Sequence, residues 1–358
     1  MTSKERILTA LNHKEPDRIP IIEVLYSRKL YKEIIGRIPD YYNAEDVFEC
    51  AKTLGLDAGI IPIEGFPGIR TSPIKDEEYQ DEWHITYRKD EGVSWPGDTI
   101  IGYPLKNKED WKKYKIPDVN KPGRLKEIEI AIKKGKEYNM AVFGDIRGPF
   151  SATWMLFGYE KFCLLLYEDP DLLDEVITEV TDFYLSAGKI LLDAGVDVIF
   201  FADDYGYSTG PLLSPEHYEK HIWPQLSRLL KGLKANNNKK VIMHSDGDLK
   251  KILPSIIKTG VDGYHPIERK AGMDLAKIKK EYGDKLVLIG NVNNIDTLVF
   301  GSKEDVINET MDCIKIAAPG GGYILSSDHS VHDDIPNENI LSMIETGKKY
   351  GIYPISND

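Results

Sequence analysis

The chain has 358 residues, with 46 Lys+Arg against 58 Asp+Glu and a formal net charge of −12. Hydrophobic residues make up 41% and charged residues 29%, a globular mixture that excludes a disordered chain and supplies a sizeable core. The acidic balance, with no Lys/Arg-rich block, argues against nucleic acid or a membrane surface as a partner. No segment approaches the roughly 20 apolar residues of a membrane helix.

Thr2-x-x-Glu5 reads as a capping box that opens a helix to about Leu11. The opening lacks the apolar run of about 7–15 residues that marks a signal peptide. Cys50, Cys163 and Cys313 lie far apart and form no CxxC pair, so a reducing, cytoplasmic setting is expected. Short apolar runs at residues 19–24, 58–63, 141–145, 197–202, 241–245, 261–265, 286–291 and 322–326 predict eight strands, each buried on both faces. Amphipathic stretches at 159–165, 170–192, 215–233, 249–259, 275–282, 303–318 and 337–350 predict helices. Ser214-Pro215-Glu216 is a helix start by residue type. The alternation predicts an α/β fold, a (β/α)8 TIM barrel spanning residues 1–358 as one domain. Residues 65–140 form an insertion between the second and third strands, first antiparallel strand and then helix.

Catalytic groups of such barrels sit at the C-terminal strand ends. Here those ends carry Glu23, Glu64, Asp145 with Arg147, Asp203-Asp204-Tyr205, His244-Ser245-Asp246, His265 with Glu268, Asn291 with Asn293, and Asp328-His329. Helix capping alone is not expected to account for so many acids and imidazoles. The sharpest cluster is His244-x-Asp246, because residues i and i+2 of a strand share a face. His329, from the last strand, meets them only across the barrel mouth. Nitrogen and oxygen donors of this kind suit Zn²⁺ with an open position. The plainer alternative has His244 hydrogen-bonded inside the barrel and Asp246 capping the helix at Leu249. His217 and His221, four apart on an outer helix, read as surface histidines. No G-x-S-x-G elbow and no Walker loop occurs, and Gly320-Gly321-Gly322 precedes a strand where a dinucleotide fingerprint would follow one.

Several blocks resemble the uroporphyrinogen decarboxylase superfamily: ERILTALNHKEPDRIPI, GPLLSPEHYEKHIWPQL, HSDGDLKKILPSIIKTGVDGYHPIE, GMDLAKIKKEYGDKLVLIGNV and APGGGYILSSDHSVHDDIPNENI. They run the length of the chain in order, and the resemblance implies the same barrel. Decarboxylases of the superfamily carry an arginine-rich M-R-Q-A-G-R motif after the first strand. Here that stretch reads EVLYSRKLYKE, with Arg28 alone near it, so porphyrin decarboxylation is not expected. Their aspartate after the second strand matches Glu64, and their late histidine matches His329.

The other branch holds corrinoid-linked methyltransferases. Those acting on coenzyme M bind zinc through a His-x-Cys pair and a later Cys, which fall on His244, Asp246 and His329 here. Both thiolates are replaced by harder donors, which suit gripping an oxygen. Closer in style are the O-demethylases. Resemblance to them implies methyl transfer from a methyl ether, a methoxylated aromatic, to the Co(I) of a separate corrinoid protein. The expected zinc ligands are His244, Asp246 and His329, with Glu268 added as an acid after the sixth strand. Glu64 joins them as a catalytic candidate. Asp203, Asp204, Tyr205 and Tyr323 are expected to line the substrate site, and Arg147 to take a ring carboxylate. The chain lacks a corrinoid-binding Asp-x-His-x-x-Gly signature, so the cobalt arrives on a partner. Alternatives are a methylcobalamin:thiol methyltransferase of the coenzyme M type, a non-catalytic ligand-binding barrel and a decarboxylase. Neither the methyl donor nor the oligomeric state follows from the sequence.

Overall fold

The computed structural model describes residues 1–65, 68–90, 95–235 and 239–355. Seven parallel strands form one sheet, in the order Tyr323–Ile324, Val287–Ile289, Gly263–His265, Lys240–His244, Val198–Ala202, Ala141–Arg147 and Ala58–Pro62. The N-terminal segment closes it. Ile21 bridges Leu325 in parallel on one side, and its carbonyl accepts from Asp57 N at 2.8 Å on the other. The expected first strand at 19–24 therefore shrinks to a single bridge, because Pro20 has no N–H to give to the ladder. A short parallel pair, Leu25–Tyr26 with Val331–His332, continues the closure above it.

Strand alternation sorts the apolar side chains into two cores. Ile22, Ile60, Phe143, Phe200, Ile242 and Ile289 point into the barrel. The opposite faces pack against the helical layer, which includes Ala44–Leu54, Pro170–Ala194, Trp223–Lys234, Lys303–Ala317 and Asn337–Tyr350. The helix Ser3–Ala10 carries the predicted capping box and plugs the barrel bottom with Ile7, Ala10 and Leu11. Within 65–140, the strands Glu78–Gln80, Thr86–Arg88 and Thr99–Gly102 form an antiparallel sheet, followed by the helix Lys108–Lys113. The last helix of that segment, Lys126–Tyr138, packs on Ala44–Leu54 and on the strand Ala58–Pro62, so it belongs to the barrel's own helical layer. No helix among the described residues is long and apolar enough to cross a membrane.

Candidate metal and active site

Three residues from two distant parts of the chain converge over the barrel mouth. His244 ends its strand, Asp246 follows two residues later, and His329 lies just beyond the last strand. Their ligand atoms all lie within 4.8 Å of one another. His329 Nε2 is 3.0 Å from Asp246 Oδ2, and His244 Nε2 is 3.7 Å from Asp246 Oδ1. Asp246 Oδ1 is buried and has no hydrogen-bond partner. A buried acceptor left unmet costs free energy that a bound cation would recover. Two imidazoles and one carboxylate also match the donor chemistry of Zn²⁺ with an open position, so the residues fit such an ion.

The electrostatics are those of a coupled group. Burial opposes the charge of Asp246, yet His244 and His329 pull its pKa below the ordinary carboxylate range. Burial likewise opposes a charge on His329, but its bond to Asp246 wins and raises it to about 9. His265 is neutral, driven well below the usual imidazole range by burial and by His244.

The remaining rim residues divide by strand parity. Asp204 faces inward: its Oδ1 accepts from Asp246 N at 3.0 Å and lies 3.9 Å from His244 Nε2. Asp203 faces the other way and is fully buried. It caps the helix Pro149–Phe157, accepting from Phe150 N at 3.1 Å, Ser151 N at 2.5 Å and Tyr205 Oη at 2.7 Å. The expected substrate contacts of Asp203 and Tyr205 are thereby corrected, since their polar atoms are consumed beneath the rim. Tyr323 is also buried and donates to Gly290 O at 2.5 Å, so it does not line a pocket.

Glu268 is not brought into the trio. Its Oε2 accepts from Gly247 N at 2.7 Å and steadies the turn after Asp246, in place of the expected ligand role. Asp328 accepts from Asn294 N at 2.7 Å and from Arg269 N at 3.0 Å, and Asn293 Oδ1 accepts from Ile295 N and Asp296 N. Capping of backbone N–H groups thus explains more of the acidic rim than the sequence reading expected. Glu23 is buried beside Ser327, accepting from its N at 2.6 Å, and burial raises its pKa to about 8. Ser327 Oγ lies 2.9 Å from Glu23 Oε2 and 2.8 Å from His329 O. One hydroxyl proton cannot serve both oxygens, and a protonated Glu23 supplies the second.

Glu64 sits in a separate polar nest. It accepts from Trp83 Nε1 at 2.6 Å and from Tyr184 Oη at 2.8 Å, with Arg147 Nε at 3.9 Å. Both of its oxygens are engaged, and it is not grouped with the trio. Arg147 and Asp145 share the inward face with Phe143. Burial raises Asp145 to about 8 against the pull of Arg147, and its Oδ1 has no partner. His217 and His221 depart from expectation: His221 is buried, with Nδ1 2.6 Å from Asp174 Oδ1, and His217 is half-buried against Tyr167. Arg28, at the site of the missing arginine motif, pairs with Asp333 at 3.3 Å.

Fold and mouth together define a (β/α)8 barrel with a His-Asp-His donor set at its catalytic end. The uroporphyrinogen decarboxylase (URO-D) family profile matches residues 93–350, and the chain belongs to that family. It is 23% identical over 355 residues to the methylcobamide:CoM methyltransferase MtaA of Methanosarcina barkeri, covering 98% of both chains. It is 21% identical over 370 residues to the uroporphyrinogen decarboxylase of Coxiella burnetii, covering 97% of this chain and 95% of that one. A solved methyltransferase from Methanosarcina mazei superposes with a TM-score of 0.75 over 98% of this chain and 99% of its own. At 20% identity, that likeness shows a common fold.

Proposed function

We propose that the chain is a corrinoid-dependent methyltransferase that moves a methyl group from a methyl ether, a methoxylated aromatic, to the Co(I) of a separate corrinoid protein. The observation that carries this reading is the N/O donor trio at the mouth, with the orphaned Asp246 Oδ1 at its centre. The full-length similarity to a methylcobamide:CoM methyltransferase supports methyl transfer. The absence of thiolate donors from the trio favours an oxygen-bound methyl group over a thiol.

His244, Asp246 and His329 would hold Zn²⁺, which when bound supplies Lewis-acid polarisation of the ether oxygen that must leave. The chain's own residues do the rest. Asp204 fixes the backbone of Asp246, and the rings of Phe143 and Phe200 form a dry floor below. Arg147, steadied by Glu64, and Asp145, whose carboxyl stays protonated into the neutral range, present N–H and O–H donors to the polar end of the substrate. The helix Ser3–Ala10 closes the barrel bottom, so the partner's cobalt reaches the methyl group from above the mouth.

The test is to mix zinc-loaded protein with Co(I) cobalamin and a panel of methyl ethers, following methylcobalamin by its absorbance. The reading predicts methylcobalamin formation with at least one methoxylated aromatic. No transfer from any ether, together with demethylation of methylcobalamin by a thiol, would instead establish the coenzyme M type of reaction. The similarity to MtaA makes that the second reading.

A further inference from the structure

His244 meets a second imidazole on the side away from the trio. His265 ends the adjacent strand in the same register row, and the two Nδ1 atoms lie 2.7 Å apart. Two donors or two acceptors cannot approach so closely, so one ring carries its proton at Nδ1 and the other accepts it. His265 is 1% exposed, and its Nε2 faces Ser326 Oγ at 3.4 Å. The ring of Phe200 packs on both imidazoles, with centroids 5.9 Å from His244 and 5.6 Å from His265. Among the described residues no other polar group meets either Nδ1, so the contact between the rings settles where the proton lies.

The chain of contacts then reads in one direction. A metal ion held by the trio would take the lone pair of His244 at Nε2, the nitrogen turned toward Asp246 and Asp204. The single proton of a neutral His244 must then sit on Nδ1 and be donated to His265 Nδ1. His265 in turn carries its proton on Nε2 and gives it to Ser326 Oγ, which can accept it. In the opposite tautomer His265 donates, the His244 proton moves to Nε2, and the lone pair needed by the metal is lost.

We infer that His265, backed by Ser326, is a positioning residue that selects the metal-binding tautomer of His244 and fixes its ring. This rests on the proposed metal role of the trio and is independent of the identity of the methyl donor. Outer hydrogen-bond partners of this kind orient metal-ligating imidazoles and raise their basicity.

The experiment uses Co²⁺ as the probe, its affinity measured by competition with a chromophoric chelator and its geometry by visible absorption. Wild type, His265→Leu, His265→Asn and Ser326→Ala are compared, each with a thermal melt. Removal of the acceptor in His265→Leu is expected to weaken binding about 10- to 100-fold and to alter the spectrum. The side-chain oxygen of Asn reaches the place of Nδ1 and is expected to restore part of the affinity, a rescue that a space-filling role would not give. Ser326→Ala is expected to show a smaller loss. Should His265→Leu fail to fold, the Asn and Ser326→Ala variants carry the test by the same ordering. Wild-type affinity and spectrum in the variants would overturn the inference while leaving the metal reading intact. A wild-type chain that binds no Co²⁺ or Zn²⁺ would overturn both.

Discussion

At the bottom of the barrel Asp57 is fully buried, yet both of its oxygens are met: Arg6 Nη1 lies at 2.6 Å, Arg18 Nη1 at 2.8 Å and Ile21 N at 2.8 Å. At the mouth Asp246 also has a buried oxygen, but that Oδ1 has no hydrogen-bond partner, and His244 Nε2 stands 3.7 Å from it. The two carboxylates differ in what completes them. Asp57 is completed by the chain itself and ties the N-terminal segment and its plugging helix into the barrel. Asp246 keeps one oxygen unmet by the chain, which on the proposed reading a bound ion would complete. Asp203 is likewise filled, by a helix N-terminus, whereas its neighbour Asp204 accepts from Asp246 N and stays half exposed at the rim.

That comparison can be broken from either end. The largest effect on activity is expected from Asp246→Ala. It should lower methyl transfer by more than the roughly 100-fold that loss of an outer partner costs, with little change in urea stability. The largest effect on stability is expected at the other end. Asp57→Ala leaves Arg6 and Arg18 without their shared partner and should cost about 3–5 kcal/mol in urea unfolding. Metal binding by the fraction that remains folded should persist.

A smaller effect follows from pH. Burial raises Glu23 and Asp145 to about 8, from ordinary values of 4.5 and 3.8. Between those limits the folded chain holds protons that the unfolded chain has released, so their contribution is full at low pH and is lost as pH rises through about 8. His329, raised to about 9, acts in the same direction. Urea midpoints should therefore fall from about pH 6.5 to about pH 8.5, and Glu23→Gln should flatten that slope. A midpoint that rises over this range would contradict the burial of these carboxyls. The smallest effect is reserved for Asp203→Asn. Weakening this helix cap should cost about 1 kcal/mol and leave KM for the methyl donor nearly unchanged. A large rise in KM with unaltered stability would return Asp203 to the substrate site.

The barrel was legible because its strands are short apolar runs between amphipathic helices. The trio was legible because His244 and Asp246 stand two apart at a strand end. The first strand is shorter than its apolar run because Pro20 cannot donate and one bridge at Ile21 suffices to close the sheet. The rim is less legible where neighbouring acids look alike in sequence but face opposite ways, as Asp203 and Asp204 do. Glu268 is illegible for a related reason: an acid after a strand can bind a metal or hold a turn, and the choice depends on the position of Gly247 N. His265 stands among the strand ends, but only register pairs it with His244 across two strands. Nothing in a linear pattern specifies that register.

The most direct measurement of the central claim is elemental analysis of protein purified without chelator, wild type beside His244→Ala, with thermal melts of both. Close to one zinc per chain in the wild type, lost in a variant that still melts cooperatively at a similar temperature, is the predicted result. Metal absent from the wild type, or retained in full by the variant, would contradict a metal centre at His244, Asp246 and His329.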